Sequence, residues 1–208
     1  MIDAATLVTY IAVVLGFVFI PGPATLLTVA RATSSGTRVG IATGAGIAAG
    51  DVFHTLMAII GISAIIAASA MLFSVIKYIG AAYLVYLGIR AILEKAPADL
   101  AGGALPIPAA KAFRQAVFTE ILNPKTALFF LAFLPQFVRP EHGLVVLQLS
   151  ILGAIFVLLG LVSTVVFAVS AAGLGRLLRR NPAVLKWQGK VVGGIYCALG
   201  VRLALQHR

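Results

Sequence analysis

Apolar residues run along this chain in long blocks separated by short polar punctuation, and each block is long enough to cross a bilayer, which takes about 20 apolar residues. The first block, 7–30, ends at Arg31 and Arg38. From 39 to 93 the only ionisable residues besides tyrosines are Asp51, His54, Lys77 and Arg90. As helix that stretch would be about 80 Å long, so it predicts two spans with a turn near 67–74. A polar segment, 94–114, follows with Pro97, Gly102, Gly103, Pro106 and Pro108, and reads as a loop. The fourth span is expected over 115–138, closed by Pro140-Glu141-His142-Gly143, and the fifth over 144–174. Arg176, Arg179, Arg180 and Pro182 predict a loop, and 190–205 a sixth span. The expected fold is an all-α integral membrane protein of six transmembrane helices, in one domain over 1–208.

Composition agrees with lipid as the solvent. Of 208 residues, 61% are hydrophobic and 11% charged, with a mean hydropathy of +1.08. A soluble domain carries about 25% charged residues and could not hide this much apolar surface. The first block lacks a preceding basic residue and a small-residue cleavage site, so it reads as a span and not a cleavable signal.

The net charge of +10 would suit nucleic acid, but its placement does not. Lys and Arg fall mostly between the apolar blocks, with no basic helix face. Ten of them (Arg31, Arg38, Arg90, Lys95, Lys111, Arg114, Arg176, Arg179, Arg180 and Lys186) fall on one side of a six-span layout. That side is expected to be cytoplasmic, in a bacterial inner membrane, with both termini outside. Lys77 would snorkel to the outer surface or line a path. One cysteine, Cys197, and scattered Met and His offer neither a disulfide nor a soft-metal cluster. No phosphate-binding loop and no hydrolase motif are present, so an enzyme is not expected, and neither a metal nor a cofactor.

An internal repeat is visible. Pro23-Ala24-Thr25-Leu26-Leu27 is similar to Pro124-Lys125-Thr126-Ala127-Leu128. Val75-Ile76-Lys77-Tyr78-Ile79-Gly80 is similar to Val184-Leu185-Lys186-Trp187-Gln188-Gly189, and Gly88-Ile89-Arg90 to Gly200-Val201-Arg202. The offsets, 101, 109 and 112 residues, fall in order. Three spans per half gives the halves opposite orientations, an inverted repeat over about 5–93 and 115–206 joined by a cytoplasmic linker, 94–114. Such repeats place a binding site near the bilayer midplane. The alternative is chance similarity in low-complexity apolar sequence.

The residues that carry chemistry sit inside these blocks. Pro21-Gly22-Pro23 must break or kink the first span, and a broken helix exposes a half-helix N-terminus that attracts a carboxylate. Asn123-Pro124-Lys125 repeats the device. Lys125 in mid-span costs about 3 kcal/mol on insertion scales unless it faces protein or water. Glu120, one turn earlier, is a partner for it, a proton carrier, or simply an interfacial residue. Asp51 is the strongest single candidate: it would bind a substrate ammonium or carry a proton, unless it forms a structural pair with Lys125 or His54. His54, at i+3 from Asp51, is a further proton-coupling candidate, although a packing histidine is commoner. Glycines spaced by four, at 36, 40 and 44, at 46 and 50, and at 189 and 193, predict close helix packing.

At these residues the sequence resembles the LysE/RhtB family of amino-acid exporters over nearly its whole length. The resemblance rests on Phe19-Ile20-Pro21-Gly22-Pro23, on Gly50-Asp51, on Lys77-Tyr78-Ile79-Gly80-Ala81-Ala82-Tyr83-Leu84 with Tyr86-Leu87-Gly88, on Asn123-Pro124-Lys125 and on Leu134-Pro135-Gln136-Phe137. It implies a six-helix secondary transporter that effluxes amino acids or related zwitterions by exchange with protons. The family's conserved prolines and Asn-Pro-Lys fall on Pro21, Pro23, Asn123, Pro124 and Lys125, and its span-two acid on Asp51. With no second acid placed beside Asp51, a neutral, homoserine- or threonine-like substrate is expected. The partners are then the amino acid, protons and the bilayer, with a homo-oligomer as an option. The rivals are a channel or metal-ion exporter of similar topology, or a membrane subunit that transports nothing.

Overall fold

The computed structural model describes residues 2–19, 22–68, 70–93, 105–180 and 182–205, and within those residues it is helical, with no strand. The helices are α1 (Ala4–Phe19), α2 (Pro23–Ser35), α3 (Thr37–Ala68), α4 (Ala70–Leu93), α5 (Ala109–Ile121), α6 (Pro124–Leu128), α7 (Val145–Arg180) and α8 (Pro182–Leu205). A widened π-turn, Phe129–Phe133, and a tight 3-10 turn, Leu134–Phe137, extend α6, and a second 3-10 turn covers Pro140–His142. Pro21 and the greater part of the predicted linker lie outside the described residues.

Each end of these helices has a local cause. Asp3 caps α1 by accepting the Thr6 amide at 2.8 Å and the Thr6 hydroxyl at 2.7 Å. Those bonds hold its carboxyl below the usual carboxylate range. Gly36 ends α2 at φ +89°, a conformation that costs glycine nothing. Pro23, Pro124 and Pro182 each open a helix at its first position, where the missing N–H would have had no partner.

Two helices are long and apolar enough to cross a membrane by themselves, Thr37–Ile62 in α3 and Val145–Ala171 in α7. Two bent pairs become spans if each is counted as one: α1 with α2, bent by 51°, and α5 with Pro124–Phe137, bent by 45°. The first and fourth predicted spans are therefore interrupted helices. The predicted loop at Arg176, Arg179 and Arg180 is instead the last turns of α7, and α8 starts at Pro182, not 190. Apolar blocks report the thickness of hydrocarbon, whereas Arg, Leu and Lys continue a helix well beyond it. For the same reason Lys111 and Arg114 belong to α5 and not to the loop.

The core is aromatic. Tyr10, Phe17, Phe129, Phe130, Phe133, Phe137, Phe156 and Tyr196 are all buried in one cluster. Phe129 packs on Phe17 at 4.5 Å and on Phe156 at 4.8 Å between ring centres, and the Tyr10 hydroxyl donates to the Leu152 carbonyl at 2.8 Å. Around this cluster, α3 packs on α5 and α7, α2 on α3 and α7, and α4 chiefly on α8.

Glycine sets the closest approaches. Gly46 lies against Phe113 and Ala116, and Gly50 against Glu120, so one stripe of α3 seats α5. Gly88 meets Gly193 and Cys197 where α4 and α8 touch. A side chain at Gly50 would land on Glu120 itself. Gly50→Ala should therefore cost about 1–3 kcal/mol of stability, read as a lower midpoint of thermal unfolding in detergent; an unchanged midpoint would show that α5 can yield.

Candidate functional site

The two helix breaks face one cavity. It has a volume of about 40 Å3, room for water but not for an amino acid, and it is lined in part by Gly22, Pro23, Asp51, Glu120, Asn123 and Lys125. Of the residues singled out in the sequence, the fold brings these six together. Pro124 opens α6 beside them without lining the cavity.

Breaking α1 frees carbonyls at its C-terminal end, and in a membrane each needs a donor. Ser163 of α7 donates to the Val18 carbonyl at 2.8 Å. The Lys125 ammonium donates to the Phe17 carbonyl at 3.4 Å and sits 4.2 Å from the Phe17 ring centre and 5.4 Å from that of Tyr196. Gly22 leaves room for it: a Cβ there would come within 3.2 Å of Nζ. Lys125 thus caps the broken helix across the cavity. On the other side of the break, the first intrahelical bond of α2 is from the Leu26 amide to the Gly22 carbonyl at 2.9 Å. The preceding amides belong to Ala24 and Thr25, which both line the cavity. A helix N-terminus with two leading amides is a place for an anion.

The second break is built around Glu120. Asn123 caps α6, accepting the Lys125 amide on Oδ1 at 3.1 Å. Its Nδ2 donates to both oxygens of Glu120 at 3.2 Å, and the Thr126 hydroxyl donates to Oε1. Glu120 and Asp51 are each only 2% exposed, and both line the cavity. Glu120 is therefore buried in the protein, with its carboxyl lining the cavity. It is the second acid beside Asp51 that the sequence did not reveal, and the argument for a neutral substrate from a lone acid does not stand in that form.

The structural pairs suggested for Asp51 do not form. Among the described residues no ion pair within 4.0 Å joins Lys125 to either carboxyl; the bridge that is present, Arg139–Glu141, lies outside the cavity. His54 bonds through Nε2 to the Glu120 backbone carbonyl at 2.9 Å and stacks on Phe130, so its ring supports the α3–α5 contact and does not line the cavity. The side chain of Lys77 lies outside the description.

Sequence reasoning missed the hydroxyls. Thr25, Thr126 and Thr164 line the cavity. Thr25 and Thr126 stand two residues after Pro23 and Pro124, and that spacing was the available signal. A cavity carrying two acids and a base between interrupted helices, in a chain of long apolar helices, defines a membrane protein with a polar interior.

Comparison with known proteins gives the class a family. The model of the family described as "LysE type translocator" matches residues 15–207, and the chain belongs to that family. It is a multi-pass membrane translocator. It is 32% identical over 204 residues to an uncharacterized membrane protein of Vibrio cholerae, covering 97% of this chain and 98% of that one. It is 29% identical over 190 residues to a homoserine/homoserine lactone efflux protein of Salmonella typhimurium, covering 88% of each. It is 26% identical over 202 residues to a leucine efflux protein of an Enterobacter species, covering 96% and 95%. No solved structure matches.

Proposed function

We propose that this translocator exports neutral amino acids, homoserine- or threonine-like zwitterions, across the cytoplasmic membrane in exchange for protons, through six spans arranged as two inverted three-helix repeats. The observation that carries the reading is the cavity itself: two carboxyls and an ammonium, buried and unpaired across the space, between two helix breaks. A zwitterion needs one site of each sign. Its carboxylate would meet Lys125 and the leading amides of α2, and its ammonium the Asp51–Glu120 pair.

The acid pair also suits proton exchange. Two carboxyls buried in one cavity disfavour a second negative charge, so a proton shared between them suits the site. With that proton the pair carries one negative charge and Lys125 one positive charge, so the site is neutral overall and fits a zwitterion. Loss of the proton frees a second negative charge, which resets the balance for the return step. The efflux names of two relatives support amino-acid cargo. The packing of α3 on α7 and of α4 on α8 supports the repeat, because each helix then meets its own counterpart.

The test is transport by proteoliposomes under an imposed pH gradient, with threonine, homoserine, leucine and lysine as substrates. Gradient-driven movement of the neutral amino acids, with lysine poorly carried, is expected. Lysine as the best substrate would move the reading to cationic cargo. Gradient-independent flux, or flux of metal ions alone, would replace it with the channel or metal-exporter rival.

A further inference from the structure

Away from the cavity, α2 and α5 enclose an open groove of about 870 Å3 that the transport reading does not use. Arg31, Lys111 and Arg114 line it, together with Gln115, Leu105 and Phe118, and none of its lining residues is acidic. Arg31 is fixed in place: Nη1 donates to the Leu105 carbonyl at 3.2 Å and Nη2 to Oε1 of Gln115 at 2.8 Å. Its Nε is buried without a partner, alone in this among the buried side-chain nitrogens and oxygens of the described residues. Three cations that line one groove with no acidic residue among its described lining residues call for an anion.

The order of residues along α5 says which kind. Lys111, Arg114, Phe118 and Leu122 recur at three- and four-residue intervals, so they form one stripe running down the helix. The cations occupy its first turns. Further along, Phe118 and Leu122 are 66% and 77% exposed. The stripe spans about 16 Å from Lys111 to Leu122, charged at its N-terminal end and apolar at its C-terminal end. That is the order of a phospholipid, headgroup and then chain.

We propose that this groove binds the phosphate headgroup of an anionic phospholipid, held by Arg31, Lys111 and Arg114, with an acyl chain lying along Phe118 and Leu122. Basic pockets between helices on the cytoplasmic side are suited to such headgroups. The occupant is a lipid and not a free phosphate, because a free anion would have no use for the exposed apolar half of the stripe.

The experiment uses full-length protein purified in a non-ionic detergent, with native mass spectrometry to read bound lipid. The probes are dioleoyl-phosphatidylglycerol, dioleoyl-phosphatidylcholine and inorganic phosphate. Saturable one-to-one binding of the phosphatidylglycerol is expected, with weaker binding of the phosphatidylcholine. The double variant K111Q/R114Q should weaken it by about thirtyfold, at roughly fivefold for each cation near a membrane surface. Arg139→Gln, outside the groove, should leave it unchanged. Equal binding of the two lipids, or a folded double variant that binds like the parent, overturns the proposal; so does inorganic phosphate competing as well as the lipid, which would make this a free-anion site. If the double variant does not fold, a salt titration of the unaltered protein serves instead. Release of the phosphatidylglycerol by salt is expected, and salt-independent binding would refute the site. The readout is lipid retention, so its failure leaves the transport reading standing.

Discussion

Asp51→Asn is expected to abolish export while leaving the protein folded and inserted at its normal level. Asparagine has the shape of aspartate and keeps its place in the packing of α3. The α3–α5 contact, seated on Gly50 and on the bond from His54 to the Glu120 carbonyl, is therefore kept. What disappears, in the proposed mechanism, is the charge that would answer the substrate ammonium and the proton that exchange would use. Removing one partner of a buried charged contact costs about 3 kcal/mol, on the order of 100-fold in apparent affinity. The measurement is uptake into inverted vesicles alongside expression level. Full export by the variant would remove Asp51 from the mechanism and leave Glu120 as the acid that matters.

Lys125→Met loses both export and stability, and this separates it from the first variant. Methionine keeps the volume and the contact with Phe17, but no ammonium remains to donate to the Phe17 carbonyl. That carbonyl belongs to the broken end of α1, and a buried acceptor left without a donor costs about 1–3 kcal/mol. The two carboxyls also lose the cation that shares their cavity. A fall in the thermal midpoint in detergent, together with lost uptake, is the expected pair of results. Lost uptake at an unchanged midpoint would mean that Lys125 serves the substrate alone and that another donor closes α1.

The sequence made some of this architecture plain and hid the rest, for physical reasons. Proline acts on its own helix, so the breaks at Pro23 and Pro124 could be read locally. Ionisable residues in hydrocarbon are costly wherever the chain goes, so Asp51 and Lys125 stood out without any fold. The meeting of Asp51 with Glu120 could not be read in that way, because it joins α3 to α5 across 69 positions of sequence. Only Gly50, which clears the space for Glu120, marks the place on the chain. The lengths of α7 and α8 escaped for a different reason: apolar blocks end at the lipid surface, while the hydrogen-bonded backbone continues past it. The hydroxyls of Thr25 and Thr126 were hidden by their ordinary chemistry, since threonine in a membrane helix usually bonds back to its own turn, as Thr28 does to the Ala24 carbonyl.

The widened turn at Phe129–Phe133 absorbs a surplus residue. A π-turn accommodates one residue more than an α-turn would over the same rise, and each residue of an α-helix advances the direction of its side chain by about 100°. Holding the surplus residue in the wide turn keeps Leu134 and Phe137, both buried, in phase with the helix before it. The Gln136 side chain mends the irregularity by donating to the Ala132 carbonyl at 2.7 Å. Forcing the same residues into regular α-helix would turn Leu134 and Phe137 by about 100°, away from the core. The odd geometry of five residues is thus what keeps the second half of the aromatic core facing the first.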